Sequence, residues 1–144
     1  MIEFECASLN DTKNAAEYFA RFAKPGQCFA LYGDLGSGKT TFSQFLIKSL
    51  IPTVEYIASP TFTIVQTYND NNRLEIWHVD CYRLKNSEEF FELGLEEAFE
   101  NCITIIEWPE IIDDFLPQNT IKIQFSMKKS KDGNILTVKD ISPT

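Results

Sequence analysis

Apolar positions along the chain fall into two patterns that alternate. Cys28–Tyr32 is a continuous apolar run and Ile103–Ile106 is apolar except for Thr104, as found in strands buried on both faces of a parallel sheet. Between them, Ala15, Phe19 and Phe22, and then Phe42–Leu50, place apolar side chains at three- and four-residue intervals, which predicts helices. Strands and helices in this alternation predict an α/β fold, a three-layer sandwich around a mostly parallel sheet.

Further strands are expected to join this sheet by antiparallel pairing. Ile64–Tyr68 and Leu74–Val79 flank the polar turn Asn69–Asn72, which predicts a hairpin. A second hairpin is expected around Asp132-Gly133, between Ile121–Phe125 and Ile135–Val138, and a short first strand over Ile2–Cys6. Among the helices, we expect Asn10 or Asp11 to cap the first, and Ser87 to cap the start of a later one that Gly94 interrupts.

Composition and charge narrow the class of protein. A chain of 144 residues with 44% hydrophobic and 24% charged residues fits one soluble domain over residues 1–144. No membrane span or signal peptide is indicated, so a cytoplasmic location is expected. The four cysteines lack C-x-x-C spacing and are expected to be buried, reduced thiols. The net charge of −8 argues against tight RNA binding by this chain alone, though not against action through a basic partner.

The segment between the first buried strand and the second helix carries the most specific chemistry. Gly33–Thr40 matches the G-x-x-x-x-G-K-[ST] phosphate loop in full, between a predicted strand and a predicted helix. Glycines let backbone N–H groups approach phosphate oxygens, Lys39 adds a positive charge, and Thr40 offers a hydroxyl to Mg²⁺. The sequence therefore predicts a P-loop NTPase-like fold that binds ATP or ADP with Mg²⁺.

Two carboxylates follow strands at the edge where the phosphate loop should lie. Asp80 follows Ile76–Val79 and Glu107 follows Ile103–Ile106, so either could hold the metal, while the alternative for each is an exposed acid that ends a strand. Thr61 lies in the loop after the second helix, where a switch-like contact with the γ-phosphate and a simple turn around Pro60 are equally open.

The remaining polar and aromatic candidates are few. Alternation along its strand is expected to direct His78 away from the nucleotide side of Asp80, which favours a structural or hydrogen-bonding role over that of a base. Trp108, beside Glu107, is the better functional candidate of the two tryptophans. Arginine occurs only at positions 21, 73 and 83, fewer than phosphate-clamping kinases normally use, which predicts slow intrinsic hydrolysis.

The motifs together closely resemble the TsaE (YjeE) family of bacterial ATPases. The resemblance rests on Gly33–Thr41, Ser59–Thr63, His78–Leu84, Glu92-Leu93-Gly94 and Glu107–Glu110, in this order over about residues 8–115. It implies a weak ATPase that serves threonylcarbamoyladenosine synthesis at adenosine 37 of tRNAs reading ANN codons. It also implies association with the subunits TsaD and TsaB, which would hold the tRNA, with ATP hydrolysis resetting the complex.

The resemblance also assigns roles to residues. It implies that Thr40 and Glu107 hold Mg²⁺, that Asp80 is a second acid needed for hydrolysis, and that Thr61 belongs to the switch-like loop. Lys39, Asp80, Glu107 and Thr61 are thus the expected catalytic residues. The expected nucleotide contacts are Thr12, near the adenine, Gly33, Leu35, Gly36, Ser37, Gly38, Lys39, Thr40, Thr41 and Trp108.

Two other functions stay open at this point. A small-molecule kinase would transfer phosphate to an acceptor beneath an arginine-bearing lid, and the sequence shows no obvious lid. A pure ATP sensor would bind nucleotide and release no phosphate even with its partners present.

Overall fold

A seven-stranded mixed sheet runs through the computed structural model, which describes residues 2–34, 36–55, 57, 64–71 and 74–143. The strands are β1 (Glu3–Cys6), β2 (Cys28–Tyr32), β3 (Val65–Asn69), β4 (Glu75–Asp80), β5 (Ile103–Glu107), β6 (Ile121–Ser130) and β7 (Gly133–Asp140). Their order is β1-β7-β6-β2-β5-β4-β3. The central β6, β2, β5 and β4 are parallel, while β1, β3 and β7 join by antiparallel pairing. The predicted α/β fold with a mostly parallel centre is confirmed.

Helices cover both faces of the sheet. They are α1 (Leu9–Ala20), α2 (Lys39–Leu50), α3 (Ser87–Glu92), α4 (Leu95–Asn101) and a 3₁₀ helix (Pro109–Phe115). Side chains of β2 and β5 alternate between the faces, so Leu31 and Ile105 pack in the core under α1 and α2. Cys28 and Ile106 point the other way, into the core under α3, α4 and the 3₁₀ helix. The result is the predicted three-layer sandwich.

The caps of two helices differ from the sequence prediction. Ser8, rather than Asn10 or Asp11, caps α1: its hydroxyl accepts from the backbone N–H of Asp11 at 3.2 Å. The Asp11 carboxylate in turn accepts a hydrogen bond from the backbone N–H of Ala7, the residue before the cap, at 3.0 Å. At α3 the cap is Asn86, one residue before the predicted Ser87. In both cases the cap is the polar residue with extended backbone, a property that composition does not specify.

Replacing the α1 cap should destabilise the protein measurably. Ser8→Ala removes the acceptor for the Asp11 N–H and is expected to lower the free energy of unfolding by about 1 kcal/mol. Asn10→Ala is the matched control, because Asn10 is exposed in the first turn and alanine favours helix. Urea denaturation of both variants tests this assignment, and a larger loss for Asn10→Ala would contradict it.

The cysteines and the helices bear on the class of protein expected from composition. All four cysteines are buried and unpaired, as expected, and burial raises the pKa of Cys28 to about 11. None of the helices in the described ranges combines the length and the apolar character that a bilayer span requires.

The topology brings the predicted site residues to one edge of the sheet. The parallel strands β2, β4 and β5 end at Tyr32, Asp80 and Glu107, and the register pairs Glu107 with both Leu31 and Asp80. The phosphate loop leaves β2 at this edge and α2 begins there. Such a carboxyl edge is where ligands bind in open α/β sheets.

Candidate nucleotide site

The phosphate loop presents the uncapped start of α2 to a cavity. Gly38, with φ of 94°, occupies the cap position of α2, and no side chain there accepts a hydrogen bond from the first turn. The N–H groups at the start of the helix therefore remain available, together with the positive end of the helix dipole. This arrangement favours an anion, as the glycine spacing predicts.

Lys39 lies buried between the loop and an aromatic ring. Its ammonium group donates to the carbonyl oxygens of Gly33 and Asp34, the latter at 3.0 Å, and lies 3.9 Å from the centre of the Trp108 ring. Burial lowers the pKa of Lys39, while nearby carboxylates, Glu107 first among them, act in the opposite direction. The two carbonyl oxygens and the Trp108 ring thus hold the Lys39 amino group at the mouth of the loop, on the cavity side.

Trp108 takes an unusual backbone conformation between β5 and the 3₁₀ helix. Its φ and ψ are both 57°, in the left-handed region that bulky residues rarely adopt. Its ring packs 4.8 Å from that of Tyr82. The hydroxyl of Tyr32, the last residue of β2, donates to Asp113 and ties the 3₁₀ helix to the start of the phosphate loop. The strained turn therefore holds the Trp108 ring over Lys39.

Glu107 contacts the phosphate loop directly. The Thr40 hydroxyl donates to Glu107 Oε1 at 2.8 Å, and Glu107 is almost fully buried. Adjacent ligands on a Mg²⁺ octahedron with bonds of about 2.0–2.1 Å lie about 2.9 Å apart, so the two oxygens have the right separation. An oxygen-only pair at this distance fits the predicted magnesium site.

Asp80 lies beside Glu107 on the neighbouring strand. It is buried, and its Oδ1 accepts from the backbone N–H of Tyr82 at 2.9 Å. Its own N–H donates to the Ile64 carbonyl at 2.8 Å. The backbone therefore fixes the direction of this carboxylate, which lines the same cavity as Lys39 and Thr40.

The predicted orientation of His78 is wrong, although its predicted hydrogen-bonding role is confirmed. Residues 78 and 80 are two apart on β4 and so share a face of the sheet. His78 Nε2 lies 2.5 Å from Glu107 Oε2. Alternation thus places the imidazole on the side of the phosphate loop, not away from it.

Two adjoining cavities surround these groups. The larger, of about 450 Å³, is lined by Gly36–Thr41 and by Asp80, Tyr82, Arg83, Glu107 and Trp108. The smaller, of about 290 Å³, lies between the start of α1 and the β6–β7 hairpin. Gly38 and Thr41 line both, so together the cavities form one elongated site.

Comparison with known proteins identifies the family. The family model described as "Threonylcarbamoyl adenosine biosynthesis protein TsaE" matches residues 6–135 of the chain. The chain belongs to the TsaE family. The match extends beyond the residues that carry the resemblance in the sequence and includes most of the C-terminal hairpin.

Curated TsaE proteins and a solved structure agree with this assignment. The chain is 45% identical to the tRNA threonylcarbamoyladenosine biosynthesis protein TsaE of Rickettsia bellii over 120 residues, 83% of each chain. It is 38% identical to that of Bacillus subtilis over 132 residues, 91% of this chain and 80% of the other. The crystal structure of Bacillus subtilis YdiB superposes with a TM-score of 0.71 at 32% identity, covering 97% of this chain and 85% of that one.

In this TsaE-family chain, most of the residues predicted for the site lie together. Gly36–Thr41, Asp80, Glu107 and Trp108 line the larger cavity, and Thr12 lines the smaller one. Gly33 begins the loop and holds the Lys39 ammonium group through its carbonyl. Leu35 and Thr61 lie outside the described residues.

Sequence reasoning missed part of the lining. Met127, Asn134 and Leu136 face Thr12 across the smaller cavity, and Tyr82 packs on Trp108. Tyr82 could have been found from its place in the His78–Leu84 motif. No local pattern identifies the other three, because the sheet order alone brings the β6–β7 hairpin beside α1.

Proposed function

We propose that this chain is a cytoplasmic, Mg²⁺-dependent accessory ATPase of tRNA threonylcarbamoyladenosine modification. In this proposal it acts with TsaD and TsaB on tRNAs reading ANN codons and resets their complex by weak ATP hydrolysis. The observation that carries the ATPase assignment is the 2.8 Å contact between Thr40 and Glu107 at the uncapped start of α2. Membership of the TsaE family supports the pathway.

The two cavities suit the two ends of ATP. The triphosphate would lie in the larger cavity, where the amides of the loop and the Lys39 ammonium group offset its charge. The base would lie in the smaller cavity, against Thr12 and the side chains of Met127 and Leu136. An apolar pocket with a few polar groups is typical of nucleotide-base sites.

Thr40 and Glu107 would hold the magnesium ion. Bound there, the ion would neutralise phosphate charge that develops during hydrolysis. Asp80, fixed by its contact with the Tyr82 N–H, would orient the attacking water. Lys39 would move little, because its ammonium group already lies between the loop carbonyls and the Trp108 ring.

The scarcity of arginine supports slow hydrolysis and a need for partners. Arg83 is the one arginine among the described residues that lines the larger cavity. Carboxylates Asp80 and Glu107 lie in the same cavity, so its positive charge is modest for stabilising phosphoryl transfer. A partner subunit would complete the site and so couple hydrolysis to the state of the complex.

The charge distribution supports tRNA contact through the partners. The net charge is −8, and Lys128, Lys129 and Lys131 are exposed near the tip of the β6–β7 hairpin. Three exposed lysines on an acidic protein provide little phosphate neutralisation. TsaD and TsaB would therefore hold the tRNA while this chain supplies the nucleotide-dependent surface.

Phosphate release measured in stages tests the proposal. The protein alone should release phosphate slowly from Mg²⁺-ATP, and addition of TsaB, TsaD and tRNA should raise the rate about tenfold or more. Transfer of the phosphoryl group to an added small-molecule acceptor would instead support a kinase. Absence of release with every component present would leave an ATP sensor and contradict the ATPase assignment.

A further inference from the structure

The imidazole of His78 is completely buried, and its polar contact is directed at one carboxylate. Its exposed fraction is 0%, and Nε2 lies 2.5 Å from Glu107 Oε2. Nδ1 has no hydrogen-bond partner within the part of the chain that the structure describes. Burying a polar ring is unfavourable unless it makes hydrogen bonds, so this contact is the one that offsets the burial of His78.

The two oxygens of Glu107 have different partners. Oε2 meets His78, while Oε1 accepts from the Thr40 hydroxyl at 2.8 Å. The terminal torsion of a glutamate has a broad preference, so the side chain alone does not fix the direction of either oxygen. The contact with His78 holds one oxygen and thereby fixes where the other points.

The strand register explains why a histidine at this position can do so. Asp80 is paired directly with Glu107, and His78 with Ile105, one pleat behind on the same face. Glu107 is therefore the diagonal neighbour of His78. The Asp80 carboxylate accepts a hydrogen bond from the N–H of Tyr82, whereas Glu107 is the carboxylate that the imidazole contacts.

We infer that His78 is a positioning residue for the magnesium site. Its Nε2–H donates to Glu107 Oε2 and holds Oε1 beside the Thr40 hydroxyl, in the geometry that two neighbouring metal ligands require. The inference rests on the proposed function, since it assigns a task to His78 within that site. It excludes a role as general base: among the described residues that line the larger cavity, His78 is absent.

Equilibrium binding separates positioning from simple packing. The affinity for a non-hydrolysable ATP analogue is measured by calorimetry with Mg²⁺ and with EDTA, and the ratio gives the Mg²⁺ enhancement. His78→Gln keeps a donor near the position of Nε2, whereas the shorter His78→Asn cannot reach Glu107. We expect the Mg²⁺ enhancement of His78→Asn to be about tenfold smaller than that of the wild type, while its nucleotide affinity in EDTA is unchanged. His78→Gln should keep most of the enhancement.

Further variants make the outcome decisive. Glu107→Gln should lose the enhancement, and His78→Asn added to it should cause no further loss, because His78 acts through Glu107. Equal enhancement in the Gln and Asn variants, or equal loss of affinity with and without Mg²⁺, would overturn the inference alone. If the affinity of the wild-type protein for the ATP analogue were the same with and without Mg²⁺, the proposed function would be overturned, and the inference with it.

Discussion

Lys39→Ala is expected to weaken binding of Mg²⁺-ATP by about 100-fold or more, equivalent to about 2.7 kcal/mol. The substitution removes the ammonium group that lies beside the Gly33 and Asp34 carbonyls at the start of the α2 dipole. Truncating one partner of a buried charged pair costs about 2–5 kcal/mol, since the remaining charge is left without its counter-ion. Calorimetric titration with a non-hydrolysable ATP analogue measures the loss.

The matched control for this variant is Lys24→Ala. Lys24 is exposed beyond the end of α1, so its removal changes the net charge equally without touching the cavity. Nucleotide affinity of Lys24→Ala should stay within about twofold of the wild type, because exposed charges far from a site are screened by salt. If both variants lost affinity alike, the effect would be one of overall charge, and the assignment of Lys39 to the phosphates would be wrong.

Gly33→Ala is expected to give the largest loss of stability among glycine substitutions in the loop. A Cβ at this position would lie 2.6 Å from the Phe125 carbonyl oxygen and 2.8 Å from Ser37 Oγ, and φ is +151°. The first contact is with the backbone of β6, which cannot move without disturbing its pairing with β2. We expect a loss of about 3 kcal/mol or more in the free energy of unfolding, together with loss of nucleotide binding.

Gly36→Ala separates steric contact from backbone strain. Gly36 also has positive φ, +76°, but a Cβ there meets no atom within 4 Å. Its cost should be the conformational penalty alone, about 1–2 kcal/mol. Urea denaturation of both variants without nucleotide compares them directly. A loss for Gly33→Ala no larger than that for Gly36→Ala would show that the β6 contact does not constrain the loop.

Local pattern predicted the central elements of this fold because their burial is nearly complete. Every residue of β5 is buried, and its sequence has three isoleucines and one threonine before the carboxylate that ends it. The same holds for β2 up to Tyr32, so the position of the phosphate loop followed from the sequence. Where a strand has two apolar faces and ends in a polar motif, sequence suffices to locate the site.

The cap of α1, the orientation of His78 and most of the lining of the second cavity were not predicted correctly from local sequence. Several polar residues near the start of α1 could act as a cap, and the extended backbone of Ser8 decides among them. For His78, the prediction placed its side chain on the opposite face of the sheet from Asp80, although residues two apart on a strand point to the same face. Apart from Thr12, the lining of the second cavity could not be predicted, because the pairing of β1 with β7 brings the hairpin to α1 across more than a hundred residues of sequence.

The most direct test of the central claim is a crystal structure with Mg²⁺ and a non-hydrolysable ATP analogue. We predict phosphate oxygens within hydrogen-bonding distance of the amides at 36–41 and of Lys39 Nζ, with the base in the cavity that Thr12 lines. The metal should lie against Thr40 and Glu107. A structure in which the analogue occupied another surface, and this loop held no phosphate, would contradict the account.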